Sequence, residues 1–398
     1  MARTPEAWTP AARRALPAMR AWRVAFHQEP ELSMEETRTR DKIVAALAEL
    51  GIPCKTFEGF TGVVGLIPGG ADHPVVALRA DMDALPVTEQ TSLPYASRFP
   101  GRMHACGHDV HMACLLGAAA ILTHGGRRPV GPVKLLFQPA EEEGHRGGAL
   151  PMIERGCLER PKVDYVVGQH VEPNLALGNV GWKTGPFMAA ADYFRLTVYG
   201  RGGHAATPHQ GPDAIVVASE IVNGIQAIVS RMRDPLDPVV VSVGSIHGGT
   251  RHNILPAEVV LEGTVRTFRP ATRDLIDRVF HRRVRALAAS MGARVRIDYQ
   301  RGYPTLVNTR DATLAVAQSL GVEFGPSHCV EVADPVMGAE DFSRYLERVP
   351  GTFLHLGVGI PHYPASLHSA TFAPDERALV IGAATLAAAA DGLQRDPP

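Results

Sequence analysis

The chain has 398 residues, long for one hydrophobic core, so two domains are expected. Hydrophobic content of 45% and charged content of 20% are those of an ordinary soluble globular protein. A formal net charge of −1, from 40 basic and 41 acidic residues, gives no electrostatic case for nucleic acid or an anionic membrane, and no segment reaches the roughly 18–20 uninterrupted apolar residues of a membrane span.

In chain order, "MARTPEAWTPAARRALPAMR" places arginines and prolines where a signal peptide needs an apolar core, and Glu6 argues against a transit peptide. A cytoplasmic location is therefore expected. "SMEETRTRDKIVAALAELG" follows as a helix, with a capping box from Ser33 to Glu36, apolar Ile43, Val44, Leu47 and Leu50 at helical spacing, and a stop at Gly51. "VVALR" (75–79), "VKLLF" (133–137) and "DYVVG" (164–168) read as fully buried strands, and "VHMACLLGAAAILTHGG" as a helix ending at Gly125. Strands alternating with helices imply an α/β fold with a mixed, largely parallel sheet flanked by helices.

From about residue 190 the texture changes. "DYFRLTVYG", "PVVVSVGSI", "AEVVLEGTVRTF" and "ARVRIDY" read as strands, and "DAIVVASEIVNGIQAIVSRM" and "TRDLIDRVFHRRVRALAASMG" as helices. The order βαββαβ is a ferredoxin-like split pattern, a small four-stranded sheet with two helices on one face. It is expected to be an inserted domain over 188–300, between the two parts of a first domain, 1–187 and 301–398. The alanine-rich "ALVIGAATLAAAADGL" near the C-terminus reads as a packed helix.

The metal-capable side chains follow the buried strands. "VVALR" runs into Asp81 and Asp83, "VKLLF" into Glu141, Glu142 and Glu143, and "DYVVG" into His170, while "GTFLHLGVG" is followed by His368. That is the sheet edge where open α/β folds place their sites. Before the helix of 110–126 stands "MHACGHD", with Cys106 and His108 two apart, a spacing that lets both point one way in an extended segment. Each piece has a plainer reading: a glutamate run as a solvated face, Asp-x-Asp as turn chemistry, a lone histidine or cysteine as packing. Together, thiolate, imidazole and carboxylate suit zinc, cobalt, nickel or manganese better than magnesium or calcium. Five ligands exceed what one tetrahedral zinc needs, so a metal pair with a neighbouring carboxylate as proton carrier is expected. The remaining cysteines, Cys54, Cys114, Cys157 and Cys329, are too widely spaced for a disulfide framework, and most of them read as buried free thiols.

"RADMDALP", "HACGHDVHMA", "QPAEEEGHRGG", "GQHVEP", "GRGGHAATPHQGPD", "HNILP", "GAEDFSRY" and "LHSATFAPDE" occur in an order that resembles the aminoacylase, hippurate hydrolase and indole-acetyl-amino-acid hydrolase branch of the dinuclear metallopeptidase-like amidohydrolases. The resemblance runs from roughly residue 20 to 390. It implies a zinc-exopeptidase-like catalytic domain with a ferredoxin-like lid, two divalent ions (zinc, manganese, cobalt or nickel) and a homodimer or dimer-based oligomer formed through the lid. It implies Cys106, His108, Glu142, His170 and His368 as metal ligands, Glu141 as general base and acid, and Asp83 as the carboxylate that orients a ligand. His204 would stabilise the oxyanion in the partner's site, and Asn253 and Arg266 would hold the amino-acid end of the substrate. "NILP", preceded by His252, stands where the family has "NVIP". His104, His111 and His209 receive no ligand role, and His355 reads as a core residue of its strand.

The expected reaction is cleavage of a small-molecule N-acyl-amino acid to a carboxylic acid and an amino acid, the acyl group being acetyl, benzoyl, indole-acetyl or longer. A dipeptidase or carboxypeptidase using the same metals is the nearest alternative. From other classes, Cys106 could be a nucleophilic or redox thiol, or the chain could be a metal-free binding module; the presence of all five ligands argues against the second.

Overall fold

The computed structural model describes residues 8–125, 128–360 and 366–398. The chain divides into two compact units: Met1–Phe187, Val307–Pro335 and Asp341–Pro398 form the first, and Met188–Leu306 with Val336–Glu340 the second. The second unit thus reaches Leu306, past the expected boundary at 300, and adds a short later segment.

The first unit is built on α1 (Trp8–His27), α2 (Thr37–Glu49), β1 (Cys54–Phe57), β2 (Phe60–Ile67), β3 (Val76–Asp81), α3 (His108–His124), β4 (Val133–Gln138), β5 (Tyr165–Ala176) and β6 (Val180–Trp182). Among the described residues its sheet has eight strands, in the order β1-β2-β4-β3-β5, then Gly351–Gly359, β6 and Cys329–Glu331. β4, β3, β5 and Gly351–Gly359 run parallel to one another, while β1 against β2, β2 against β4 and β6 against Gly351–Gly359 are antiparallel. This is the mixed, largely parallel sheet expected. Every residue of β3 and of β4 is buried, including the polar Arg79, Asp81, Lys134 and Gln138 that stand among their apolar residues. Gly168 in β5 is required by packing: a Cβ there would lie 2.7–2.8 Å from ring atoms of Phe353 and Phe342.

Helix α3 is buried on nearly all sides, as a helix apolar around its whole circumference must be. It packs against α1 and against the alanine-rich helix Arg377–Arg395. Trp8–His27, which the sequence does not announce as a helix, forms α1, whose Trp8, Ala12, Met19 and Phe26 are buried.

The buried face of α1 also carries His27 into α3. Its Nδ1 lies 3.0 Å from Asp109 Oδ2 and its Nε2 3.1 Å from Glu89 Oε1. With a carboxylate at each nitrogen, the ring donates twice as the cation. Burial alone would lower its pKa; Asp109, then Glu89, overcome this and raise it to about 9. Because the folded value exceeds the unfolded one near 6.5, the stabilisation is full below pH about 6.5 and disappears as pH rises through about 9. Up to roughly 3 kcal/mol is at stake. Urea unfolding of the parent and of His27→Gln at pH 6, 7.5 and 9.5 should therefore show a stability gap that closes with rising pH; a gap that is constant or widens contradicts the assignment.

The second unit has a four-stranded antiparallel sheet in the order Val239–His247, Glu258–Thr267, Ala190–Tyr199, Arg294–Arg301. Helices Ala214–Arg231 and Pro270–Ser290 bury Val217, Ile221, Ile225, Ile276 and Phe280 in its core. Helix Ala214–Arg231 has the length and composition of a membrane span, but these buried residues mark it as the amphipathic core helix of a small domain. The ferredoxin-like order expected from the sequence is the order observed.

Candidate metal centre

The C-terminal ends of β3 and β4 and the turn preceding α3 meet beside β5; His170, expected after a strand end, lies in the middle of β5, which runs on to Ala176. Cys106 and His108 come together here, though not through an extended segment. Gly107 between them is left-handed (φ 82°), and His108 is the first residue of α3. A side chain at position 107 would be strained at that φ, and its Cβ would also meet Val171 Cγ2 at 2.7 Å.

Cys106 Sγ lies 3.3 Å from His170 Nε2 and 3.3 Å from His368 Nε2. Glu142 Oε1 lies 3.4 Å from His368 Nε2 and 3.9 Å from His108 Nε2. The side chains form overlapping groups, Cys106–His108–His170, Cys106–Glu142–His368 and His108–Glu141–Glu142, each with ligand atoms within 4.8 Å of one another. The thiol is common to the first two. The fold therefore gathers Cys106, His108, Glu142, His170, His368 and Glu141 from separate segments into one cluster.

The hydrogen bonds on the far sides of the rings orient the free lone pairs. His108 Nδ1 donates to the Asp83 carbonyl at 2.8 Å, and His170 Nδ1 donates to the Val171 carbonyl at 2.7 Å. Each Nε2 is thereby left as the atom facing the cluster. His108 Nε2 and Glu142 Oε1 are buried with no hydrogen-bond partner among the described residues, which leaves them open to a cation. Electrostatics point the same way. Burial disfavours charge on His108, but Asp81 and then Asp83 raise its pKa to about 10, so the pocket favours positive charge. Burial, followed by the charges of Glu142 and Glu141, pushes the Cys106 thiol well up. A thiol so placed is a poor nucleophile on its own and needs a neighbouring cation to ionise. The donor set and its orphaned atoms fit a pair of divalent metals.

A second histidine-rich group, Asp81–His108–His111, does not offer another metal position. His111 Nδ1 donates to Asp81 Oδ1 at 2.6 Å, and its Nε2 accepts the Val171 N–H at 2.9 Å, so both nitrogens are committed. Arg79 binds the other oxygen of Asp81 at 2.6 Å and Asp341 at 2.9 Å. This buried chain ties β3 to α3 and to β5 beside His170. The sequence signal for His111 was its place three residues after His108, on the same helical face.

Asp83 does more than stand behind a ligand. Its carbonyl orients His108; its carboxylate, 3.4 Å from His108 Nδ1, accepts the N–H of Glu141 at 3.1 Å and of Glu142 at 3.0 Å. Ser33 Oγ donates to it at 2.7 Å. The capping box expected between Ser33 and Glu36 is accordingly not formed: α2 starts without a side-chain cap. Glu36 is wholly buried instead and accepts from the Ala140 N–H and the Thr61 hydroxyl.

His204, Asn253 and Arg266 belong to the second unit. There Gly203–His204 pairs with Ile254–Leu255, and Ala205 N donates to the Asn253 carbonyl at 3.1 Å, so His204 and Asn253 are neighbours. His204 is exposed, and its Nδ1 accepts the Ala206 N–H at 3.0 Å, which places the proton of the neutral ring on Nε2. Arg266 is partly buried, 5.9 Å from the Tyr193 ring centre, and donates to the Val265 carbonyl at 3.2 Å. A separate cavity of about 760 Å³, lined by Lys55, Lys134, Arg155 and Cys157 among others, opens near the start of β4 and shares no residue with the metal cluster.

Residues 77–392 match peptidase family M20/M25/M40. The chain is 42% identical over 359 residues to N-acetyl-L-cysteine deacetylase of Bacillus subtilis, covering 89% of this chain and 83% of the relative. It is 40% identical over 364 residues to thermostable carboxypeptidase 1 of Saccharolobus solfataricus, covering 90% and 91%. It is also 38% identical over 364 residues to the IAA-amino acid hydrolase ILR1-like 4 of Arabidopsis thaliana, covering 90% and 81%. Among solved structures, the Bacillus subtilis YXEP protein, described as a dinuclear metal binding peptidase, superposes with a TM-score of 0.80 at 32% identity, covering 96% of this chain and 99% of the other. A cluster built for divalent metals at the end of a largely parallel sheet, and likeness along most of the chain, lead to one assignment: the chain belongs to peptidase family M20/M25/M40 and is a metal-dependent amidohydrolase or peptidase.

Proposed function

We propose that the protein hydrolyses N-acyl-amino acids to a carboxylic acid and a free amino acid. The observation that carries this reading is the cluster itself: a buried thiol common to two three-ligand groups, with the Glu141 carboxylate in a third group beside them. Cys106, His108 and His170 would hold one metal, and Cys106, Glu142 and His368 the other. When bound, such a pair lowers the pKa of water and polarises the scissile carbonyl. Glu141 takes a proton from the attacking water as its oxygen bonds to the carbonyl carbon. The same carboxyl then gives that proton to the amide nitrogen as the C–N bond breaks, so water is consumed and one acid and one amine leave.

His204 has its Nε2–H available to stabilise a carbonyl oxygen that is gaining charge. Arg266 offers a guanidinium to the substrate carboxylate, and Asn253, beside His204, offers an amide to the same end. The exposed Ile215, Val216, Ile246 and Ile254 of the second unit support a homodimer formed through it, in which His204 would serve the partner's centre. The relatives that act on N-acetyl-cysteine and IAA-amino acids favour acylated amino acids as the substrate class. The similar carboxypeptidase favours a second reading, cleavage of a C-terminal peptide bond by the same residues.

The test is amine release from a panel of N-acyl-amino acids and dipeptides by chelated protein re-supplied with zinc, manganese, cobalt or nickel. Metal-dependent release from the acyl-amino acids is expected. Release from dipeptides alone would select the peptidase reading. Turnover that survives chelation but not thiol alkylation would replace both with a Cys106 thiol enzyme.

A further inference from the structure

We infer that Glu36 is a positioning residue, whose buried carboxylate holds the left-handed turn at Ala140 and thereby aims the Glu141 side chain. The inference rests on the reading of Glu141 as proton carrier.

Ala140 links β4 to the glutamate run, and its φ of 55° lies in the left-handed region that an alanine avoids. Such a conformation persists where its surroundings over-determine it. Here Glu36 Oε1 accepts the Ala140 N–H at 2.9 Å and the Met34 N–H at 3.0 Å, while Oε2 accepts the Thr61 hydroxyl at 2.7 Å. Met34 is itself left-handed, with φ 66°. Asp83 accepts the next two amides, those of Glu141 and Glu142. Two buried carboxylates therefore grip three successive N–H groups, 140 to 142, directly before and along the glutamates of the site.

Burying a carboxylate is costly unless its oxygens are filled. A glutamate serving only to start α2 would have stayed at the surface and closed a capping box with Ser33. Glu36 is instead wholly buried, 104 residues away in sequence from the amide it holds. The fold spends this burial on the turn that sets the backbone directly before Glu141. A displacement of about 1 Å in a catalytic group can cost on the order of 100-fold in rate.

The experiment compares Glu36→Ala, Glu36→Gln and Glu141→Gln as metal-loaded full-length enzymes. Glu36→Ala is expected to lower kcat by about 10- to 100-fold, with KM within roughly threefold, metal content unchanged and a crystal structure in which Ala140 has left the left-handed region. Glu36→Gln keeps Oε1 as acceptor for both N–H groups and can donate its amide to the Thr61 hydroxyl, so it should restore kcat to within about threefold of the parent. Undiminished kcat in Glu36→Ala, a loss matched by loss of metal, or a Glu36→Gln enzyme as slow as Glu36→Ala would each overturn the inference. Should Glu36→Ala not fold, Glu36→Asp, one methylene shorter, carries the same expectation. An active Glu141→Gln enzyme would sink the reading of Glu141 instead, and the conformation of Ala140 in the Glu36→Ala crystal would still decide what Glu36 holds.

Discussion

Glu141→Gln is expected to bind metal as the parent does and to lose between about 100- and 10,000-fold in kcat, the range typical of removing a positioned general base and acid. The substitution changes one oxygen to an amide nitrogen in a side chain that is only 7% exposed. The backbone N–H of residue 141 still donates to Asp83, so the segment keeps its anchor. Of the five residues assigned to metal, Glu142 is the adjacent one, and it retains its carboxylate. What the substitution removes is the carboxyl proposed to move a proton from water to the leaving nitrogen. The measurements are metal content by elemental analysis and steady-state kinetics on the best substrate of the panel. A variant with full metal and the parent rate would show that another group carries the proton. A variant that had lost its metal would show that Glu141 is a ligand.

Cys106→Ser should be nearly as damaging, for a different reason. Sγ is the atom common to the two three-ligand groups, 3.3 Å from both His170 and His368. A serine oxygen sits on a shorter bond and stays protonated where a metal-bound thiol ionises. Metal per chain should fall below the parent value. Turnover should fall by more than about 100-fold, since loss even of a residue that only supports a ligand costs 10- to 100-fold. Excess metal distinguishes the roles of this residue. A ligand variant recovers part of its activity as metal concentration rises, because mass action refills a weakened site. If Cys106→Ser were fully loaded and still dead, the thiol would be acting as a nucleophile.

Much of the architecture was legible because the signals are local. β3 and β4 are buried on both faces and so are dominated by apolar residues, Val76, Ala77 and Leu78 in one and Val133, Leu135, Leu136 and Phe137 in the other. The βαββαβ order of the second unit follows from alternation in its strands and the apolar stripes of two helices. The N-terminal helix was not legible as such. Its arginines and Pro17 obscure the stripe of Trp8, Ala12, Met19 and Phe26, which is buried because α3 and the helix Arg377–Arg395 lie beside α1. The short strand β1 has a mostly exposed pattern and owes its existence to pairing with β2.

The metal-capable residues were visible through their combination, since each alone has a plainer use, whereas a thiol, histidines and carboxylates close to buried strands together suit a divalent metal. The residues that hold them were not. Ser33 and Glu36 have the spacing of a capping box, and a local rule assigns them to the helix that follows. The fold sends Ser33 to Asp83, 50 positions on, and Glu36 to the amide of Ala140, 104 positions on. His111 is equally ambiguous in sequence, and only the Asp81 carboxylate on one side and the Val171 amide on the other remove it from the ligands.

By itself, then, the sequence determined the two-part α/β organisation, the sheet edge that bears the chemistry and the residue types gathered there, because strand burial, helix periodicity and the ends of elements are written in neighbours a few positions apart. The tertiary structure alone decided which atoms face one another: that one thiol is common to two ligand groups, that Gly107 and Ala140 turn left-handed to present His108 and Glu141, and that two buried carboxylates hold the glutamate backbone. Those choices depend on hydrogen bonds between segments distant in the chain, whose energies exist only once the strands have brought their ends together.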